Sequence, residues 1–155
     1  HPDGKTALLR GDVDAWAGLD PLMAAAEVES GAKLFYRKPE ANTWGVLNTR
    51  EAFAAENPEA VRRVNAVYEE ARKWALANPA EFKALIVKET KLPEAVVAKQ
   101  LERTDLSNPV LNQSVSDSIL AAGLALQKAG VVKPEVDVKA TVGALIDTRF
   151  APAAK

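Results

Sequence analysis

Three prolines constrain most of what this chain can become. Asn57-Pro58-Glu59, Asn78-Pro79-Ala80-Glu81 and Pro93-Glu94 each set a residue without a backbone N–H just ahead of an acidic side chain and an apolar-periodic run. Proline is tolerated in the first turn of a helix, where its N–H would have no partner, and a carboxylate there meets the positive end of the peptide dipoles. Each of the three is therefore a helix start, with Asn57 and Asn78 as expected caps. Behind Pro58, the residues Val61, Val64, Val67, Tyr68, Ala71, Trp74 and Ala75 recur at helical spacing, and Arg62, Arg63, Glu69, Glu70, Arg72 and Lys73 face away. That pattern predicts a long helix with Tyr68 and Trp74 in the core. Phe82, Leu85 and Ile86 form the buried side of the next helix, and Val96, Val97 and Leu101 that of the one after. From Gln113 to Ala129, Val115, Ile119, Ala122 and Leu126 share one face, Gly130 suits the position after a C-cap, and Asp137 is placed to cap a last short helix through Val142 and Ile146. The stretches following each start do not align at a fixed period, so this is repeated helix-start chemistry and not a sequence repeat.

The first third reads differently. A short helix over Pro2 to Arg10 is followed by a Gly-Asp turn and by Val13 to Gly18, a small-residue run around Trp16 that suits a buried strand. Asp20-Pro21 then opens a helix that stops near Gly31. Lys33 to Arg37 and Thr43 to Leu47 are β-prone runs separated by the breaker Lys38-Pro39-Glu40-Ala41-Asn42, and Thr49 to Glu56 is a short helix with Ala52 and Phe53 inward. Strands grouped early and helices grouped late predict an α+β arrangement.

A chain of 155 residues with 48% hydrophobic content can bury an ordinary core, and no low-complexity linker divides it. A formal net charge of −1, with Lys and Arg interleaved among Glu, offers nucleic acid no basic face, so no nucleic-acid partner is expected. The absence of cysteine removes disulfides, thiolate metal sites and a Cys nucleophile. The one histidine is His1, so a histidine base beside a Ser nucleophile is missing, and no His-x-x-x-His or Asp-rich metal loop occurs. Glu69 and Glu70 lie on a mixed-charge solvent face, and there is no glycine-rich phosphate loop. No cofactor and no enzymatic activity are expected. No apolar run reaches the roughly 18 residues of a membrane span.

The stretch Gly11-Asp12-Val13-Asp14-Ala15-Trp16-Ala17-Gly18-Leu19-Asp20-Pro21, with Leu22 to Glu27 after it, resembles a signature of the aliphatic-sulfonate, taurine and nitrate group of solute-binding proteins that serve ABC importers. The resemblance continues more loosely to about Asp147, and Leu19 stands where many relatives carry a second tryptophan. It implies an α/β, type II periplasmic-binding-protein-like fold of which this chain is the C-terminal portion. On that basis residues 1–20 end lobe two and cross the hinge, 21–150 form the C-terminal part of lobe one, and 151–155 are a frayed tail. It further implies an extracytoplasmic protein, periplasmic or membrane-anchored, that closes on a small organic anion and delivers it to a membrane permease. Two other readings are an enzyme like the thiamine-pyrimidine synthases, which depend on histidine and cysteine residues not found here, and a free-standing helical interaction module. Oligomerisation or strand exchange could cover apolar surface left by a missing half.

Five residues are the candidates for ligand contact, and Arg50 is weighed beside them. Trp16 is either an apolar wall at the lobe junction or a core-filling indole. Asp20 can cap the helix it precedes and can also accept a hydrogen bond from a ligand or hinge amide. Asn42, Thr43 and Trp44 are candidates through the resemblance, which brings the corresponding strand entrance close to the cleft; otherwise they form a turn followed by one buried ring. Arg50 is either a partner for an anionic group or a helix-start surface residue.

Overall fold

The computed structural model describes residues 1–39 and 44–151. Among the described residues eight α-helices follow one another: α1 (Pro2–Arg10), α2 (Leu22–Ser30), α3 (Glu51–Glu56), α4 (Pro58–Ala77), α5 (Pro79–Thr90), α6 (Glu94–Glu102), α7 (Gln113–Lys128) and α8 (Val138–Leu145). Among the described residues there is no strand, so the expected α/β class, with its few early strands, is not what the chain forms. The reason is visible in the backbone. Val13–Gly18 and Lys33–Arg37 run without helical structure as expected, but their amides and carbonyls make no backbone hydrogen bonds among the described residues. A strand exists only by virtue of a neighbouring strand, and none is supplied.

The chain divides into two units, one of His1–Arg37 with Arg72–Ser107 and one of Lys38–Ala71 with Asn108–Lys155. In the first, α1 packs on α2, α2 on α6, and α5 on α6. Ala24, Ala25 and Val96 form its sealed centre, with Ala24 and Val96 fully inaccessible. Three successive alanines, Ala24 to Ala26, let α2 approach its neighbours closely enough to exclude water without a large side chain. In the second unit, α7 packs on α8, and Gly123 lies so close to Val138 that a Cβ there would come within 2.7 Å of its side chain. Phe150 is buried in the same unit, with the guanidinium groups of Arg62 and Arg149 each 5.4 Å from its ring and its carbonyl accepting from Asn65 Nδ2 at 2.7 Å.

Helix ends follow the local chemistry closely. Gly31 adopts φ 69° and terminates α2, its amide reaching back to Glu27, while Gly130 takes φ 77° just beyond the C-cap of α7. Asp137 accepts from the Ala140 amide at 2.9 Å and caps α8, and Asn112 caps α7 in the same way at 3.1 Å. Asn78 departs from expectation: its Nδ2 donates to the carbonyl of Trp74, closing the end of α4 instead of capping α5. Burial departs more. Tyr68, Val67 and Val64 are exposed, Trp74 is 38% exposed although it meets Phe82 edge-on at 6.5 Å, and Ala75 is the buried residue of α4. In α3 the buried residue is Ala54, with Ala52 and Phe53 outward. The apolar stripe of α4 thus stays largely accessible, and in α3 the inward residue is not one of the two expected.

Candidate functional site

The junction at Asp20-Pro21 is organised by a residue far away in sequence. Asp20 Oδ1 accepts from the Ala24 amide at 2.9 Å, satisfying one of the free N–H groups at the start of α2. Its other oxygen, Oδ2, faces Arg103 Nε at 3.3 Å. Arg103, the residue following α6, also donates from Nη2 to Glu27 Oε2 at 2.6 Å. Its side chain is 8% exposed, against 18% for each carboxylate. One guanidinium thus ties both ends of α2 to the end of α6. Nη1 is buried and finds no acceptor among the described residues, and Nε lacks the alignment for a true hydrogen bond. With two carboxyl groups on one cation, this cluster has no surplus positive charge to draw an anion. Its effect is to fix the junction.

Trp16 stands beside this cluster in the chain. Its ring lies so close to Gly4 of α1 and to Gly18 that a Cβ on either would come within 2.4 Å and 2.7 Å of it. Two glycines therefore form the seat of the indole, which remains partly accessible. Trp44 belongs to the other unit and is 40% exposed. Asn42 and Thr43 lie outside the described residues. Arg50 is the exposed residue preceding α3, with no side-chain cap of its own there. Arg103 was not singled out in the sequence because its partners are 83 and 76 residues distant and no local pattern marks such a pairing.

The first unit also holds an apolar groove of about 310 Å³ between the end of α4 and helices α5 and α6, lined by Ala75, Leu76, Phe82, Leu101 and Leu106 among others. A shallow depression of about 380 Å³ runs along Ala60, Val64, Val67 and Tyr68 of α4 in the second unit. Neither gathers the convergent polar groups by which a pocket orients a small polar ligand. Shifted ionisations occur in exposed pairs: Glu94 is lowered by its hydrogen bond and attraction to Lys83, Asp147 by Arg149, and Asp105 by the hydroxyl and amide of Ser107. Such pairs on an accessible surface are local structure and not a poised acid or base. No cluster of metal-ligating side chains occurs among the described residues, and no helix there is long and apolar enough to cross a membrane.

Compared with known proteins, the chain is 26% identical over 153 residues to a protein of Bacillus subtilis (strain 168) named as a candidate aliphatic sulfonates-binding protein. The chain is a distant homologue of such binding proteins. A second, from Escherichia coli (strain K12) and named in the same way, is 29% identical over 101 residues. The first match takes in 97% of this chain but 45% of the relative, the second 64% and 32%. The chain therefore spans less than half the length of the relatives it matches. No family model matches it, and no solved structure does.

Proposed function

We propose that this chain is the C-terminal part of an extracytoplasmic solute-binding protein of an ABC importer, taking a small organic anion such as an aliphatic sulfonate, taurine or nitrate between two lobes. The observation that carries the reading is homology along 97% of the chain to a protein named for aliphatic-sulfonate binding. The segment from Gly11 to Ala15 supports it: it is exposed, as a connection between two bodies would be, its Gly11 and Asp12 amides only closing the end of α1, and it is not sealed into a core. On this reading residues 1–20 close lobe two, 21–150 continue lobe one, and Trp16, Asp20, Asn42, Thr43 and Trp44 contribute to the cleft. Trp16 on its glycine seat offers an apolar wall to the organic part of the solute. Asp20, held by Arg103 and the α2 amide, keeps the crossing in a fixed geometry from which lobe closure can pivot. A membrane permease would receive the solute, and no bond is made or broken.

The test is a thermal-shift and calorimetric screen of the full-length protein carrying this chain against ethanesulfonate, taurine and nitrate. A ligand at one hundred times its Kd stabilises the folded state by about 2.7 kcal/mol. Stabilisation by one of these anions with the solute recovered unchanged is the expected result. A full panel without a shift, or chemical conversion of the solute, would overturn the reading.

A further inference from the structure

Within the second unit α4 is tied down through its polar side. Asn65 Nδ2 donates to the carbonyl of Phe150, and the guanidinium of Arg62 lies over the Phe150 ring. The opposite face carries Ala60, Val64, Val67 and Ala71 at alternating intervals of four and three, the spacing of a seam between paired helices. Val64 and Val67 are 50% and 63% exposed, and Tyr68 beside them is 58% exposed. The shallow depression of about 380 Å³ follows this seam, and among the described residues no helix packs on this stretch of α4.

The flanks of the seam are ordered in a particular way. One flank carries Arg63 and Glu70, both exposed and neither in an ion pair among the described residues; the other carries Val61 and Tyr68. Arg63 and Glu70 are separated by about 10.5 Å of helix rise, too far to pair with each other. When two copies of a helix lie antiparallel, each flank meets the same flank of its copy. The two-fold axis that sets Val64 over Val67 of the second copy also sets Ala60 over Ala71. It brings Arg63 opposite Glu70 of the second copy and Glu70 opposite Arg63, and on the other flank it lays Tyr68 against Val61. Opposite charges therefore meet on one side and apolar surfaces on the other. A parallel pair would set Arg63 and Glu70 against the apolar flank and leave both unmatched.

We propose that the 60–71 face of α4 is a self-association surface, covered by a second copy of this chain in an antiparallel, two-fold contact with two Arg63–Glu70 pairs. The charge order names the occupant: a face that carries each charge at the position its own copy answers is self-complementary, as a two-fold interface requires. The seam is about 18 Å long at 1.5 Å per residue. That is short of a standard interface, so the contact is weak and dilute protein remains monomeric. It is independent of which solute the protein binds.

Analytical ultracentrifugation of the full-length protein carrying this chain, from micromolar to about millimolar concentration, tests this. A monomer–dimer equilibrium is expected. Arg63→Glu alone, or Glu70→Arg alone, turns both pairs into like charges and should raise the dimer Kd by about 10-fold. The double variant Arg63→Glu with Glu70→Arg exchanges the charges and should return the Kd to within about 3-fold of the parent value. Both positions are exposed, so the substitutions leave the fold intact. A protein that stays monomeric throughout would overturn the proposal, the face then being covered by another part of the polypeptide or left bare. So would a dimer indifferent to the single reversals, a double variant as weak as the single ones, or association that grows past the dimer.

Discussion

Helices α2 and α4 make opposite uses of their sequences. α2 has nine residues and only weak segregation of apolar from polar positions, yet Ala24, Ala25 and Ala26 are all buried and Glu27 is pinned by Arg103. α4 has twenty residues and sharply separated faces, yet of these only Ala75 is buried. The difference is one of partners. Small residues allow α2 to lie directly against α1 and α6, where Val96 closes the contact, and burial then follows from close approach. On α4, Val64, Val67 and Tyr68 form a correct apolar stripe and remain exposed. An amphipathic pattern states which face gains by burial; whether that gain is realised depends on what other part of the polypeptide arrives.

That contrast can be broken most forcefully at Arg103. Arg103→Met should destabilise the fold by about 3 kcal/mol, because Asp20 and Glu27 would keep their partly buried carboxyl groups without a counter-charge. Urea unfolding measures this, and a loss below about 1 kcal/mol would mean that the guanidinium is not what joins α2 to α6. Next in size is Ala24→Leu. At a fully inaccessible position it should cost roughly 1–3 kcal/mol through overpacking, and a neutral result would show that α2 does not lie close against its neighbours. Val67→Ser on α4 should change the stability of this chain by no more than about 0.5 kcal/mol, since the side chain is 63% exposed. A loss of about 2 kcal/mol in the same measurement would put the α4 stripe in a core after all.

The smallest effect concerns the exposed contact between α5 and α6. Lys83 Nζ lies 2.7 Å from Glu94 Oε1 and holds the Glu94 carboxyl below its ordinary 4.5. A carboxyl depressed in the folded state stabilises it at pH above the unfolded value, and that contribution fades as pH falls through the folded one. Lys83→Met should therefore bring the Glu94 titration, followed by NMR, back toward 4.5 and flatten the acid limb of the stability profile. An unchanged titration midpoint would show that the pair is not formed in solution.

Local signals were legible where the physics is local. Pro58 and Pro79 start their helices, Glu94 opens the one behind Pro93, Gly31 ends α2, Gly130 follows the cap of α7, and Asp137 caps α8. Each depends on residues within one turn of each other. At the candidate site, Asp20 was legible as a helix-start acceptor for the same reason. The Gly4 and Gly18 seat of Trp16 was not, because it depends on how α1 returns against the following segment. Asn78 shows the limit even at short range: its side-chain amide can serve the helix behind it as well as the one ahead, and it donates to the carbonyl of Trp74.

What the sequence alone determined is the course of the helices and most of their starts and stops, consequences of backbone sterics and periodicity over a few residues. Only the tertiary structure decided that Arg103 joins Asp20 to Glu27, that Ala24 and Val96 are the sealed centre while Tyr68 is not, and that Lys33–Arg37 finds no ladder partner among the described residues. Those outcomes depend on contacts between distant residues, and strands above all draw their existence from a neighbour that no local pattern can supply.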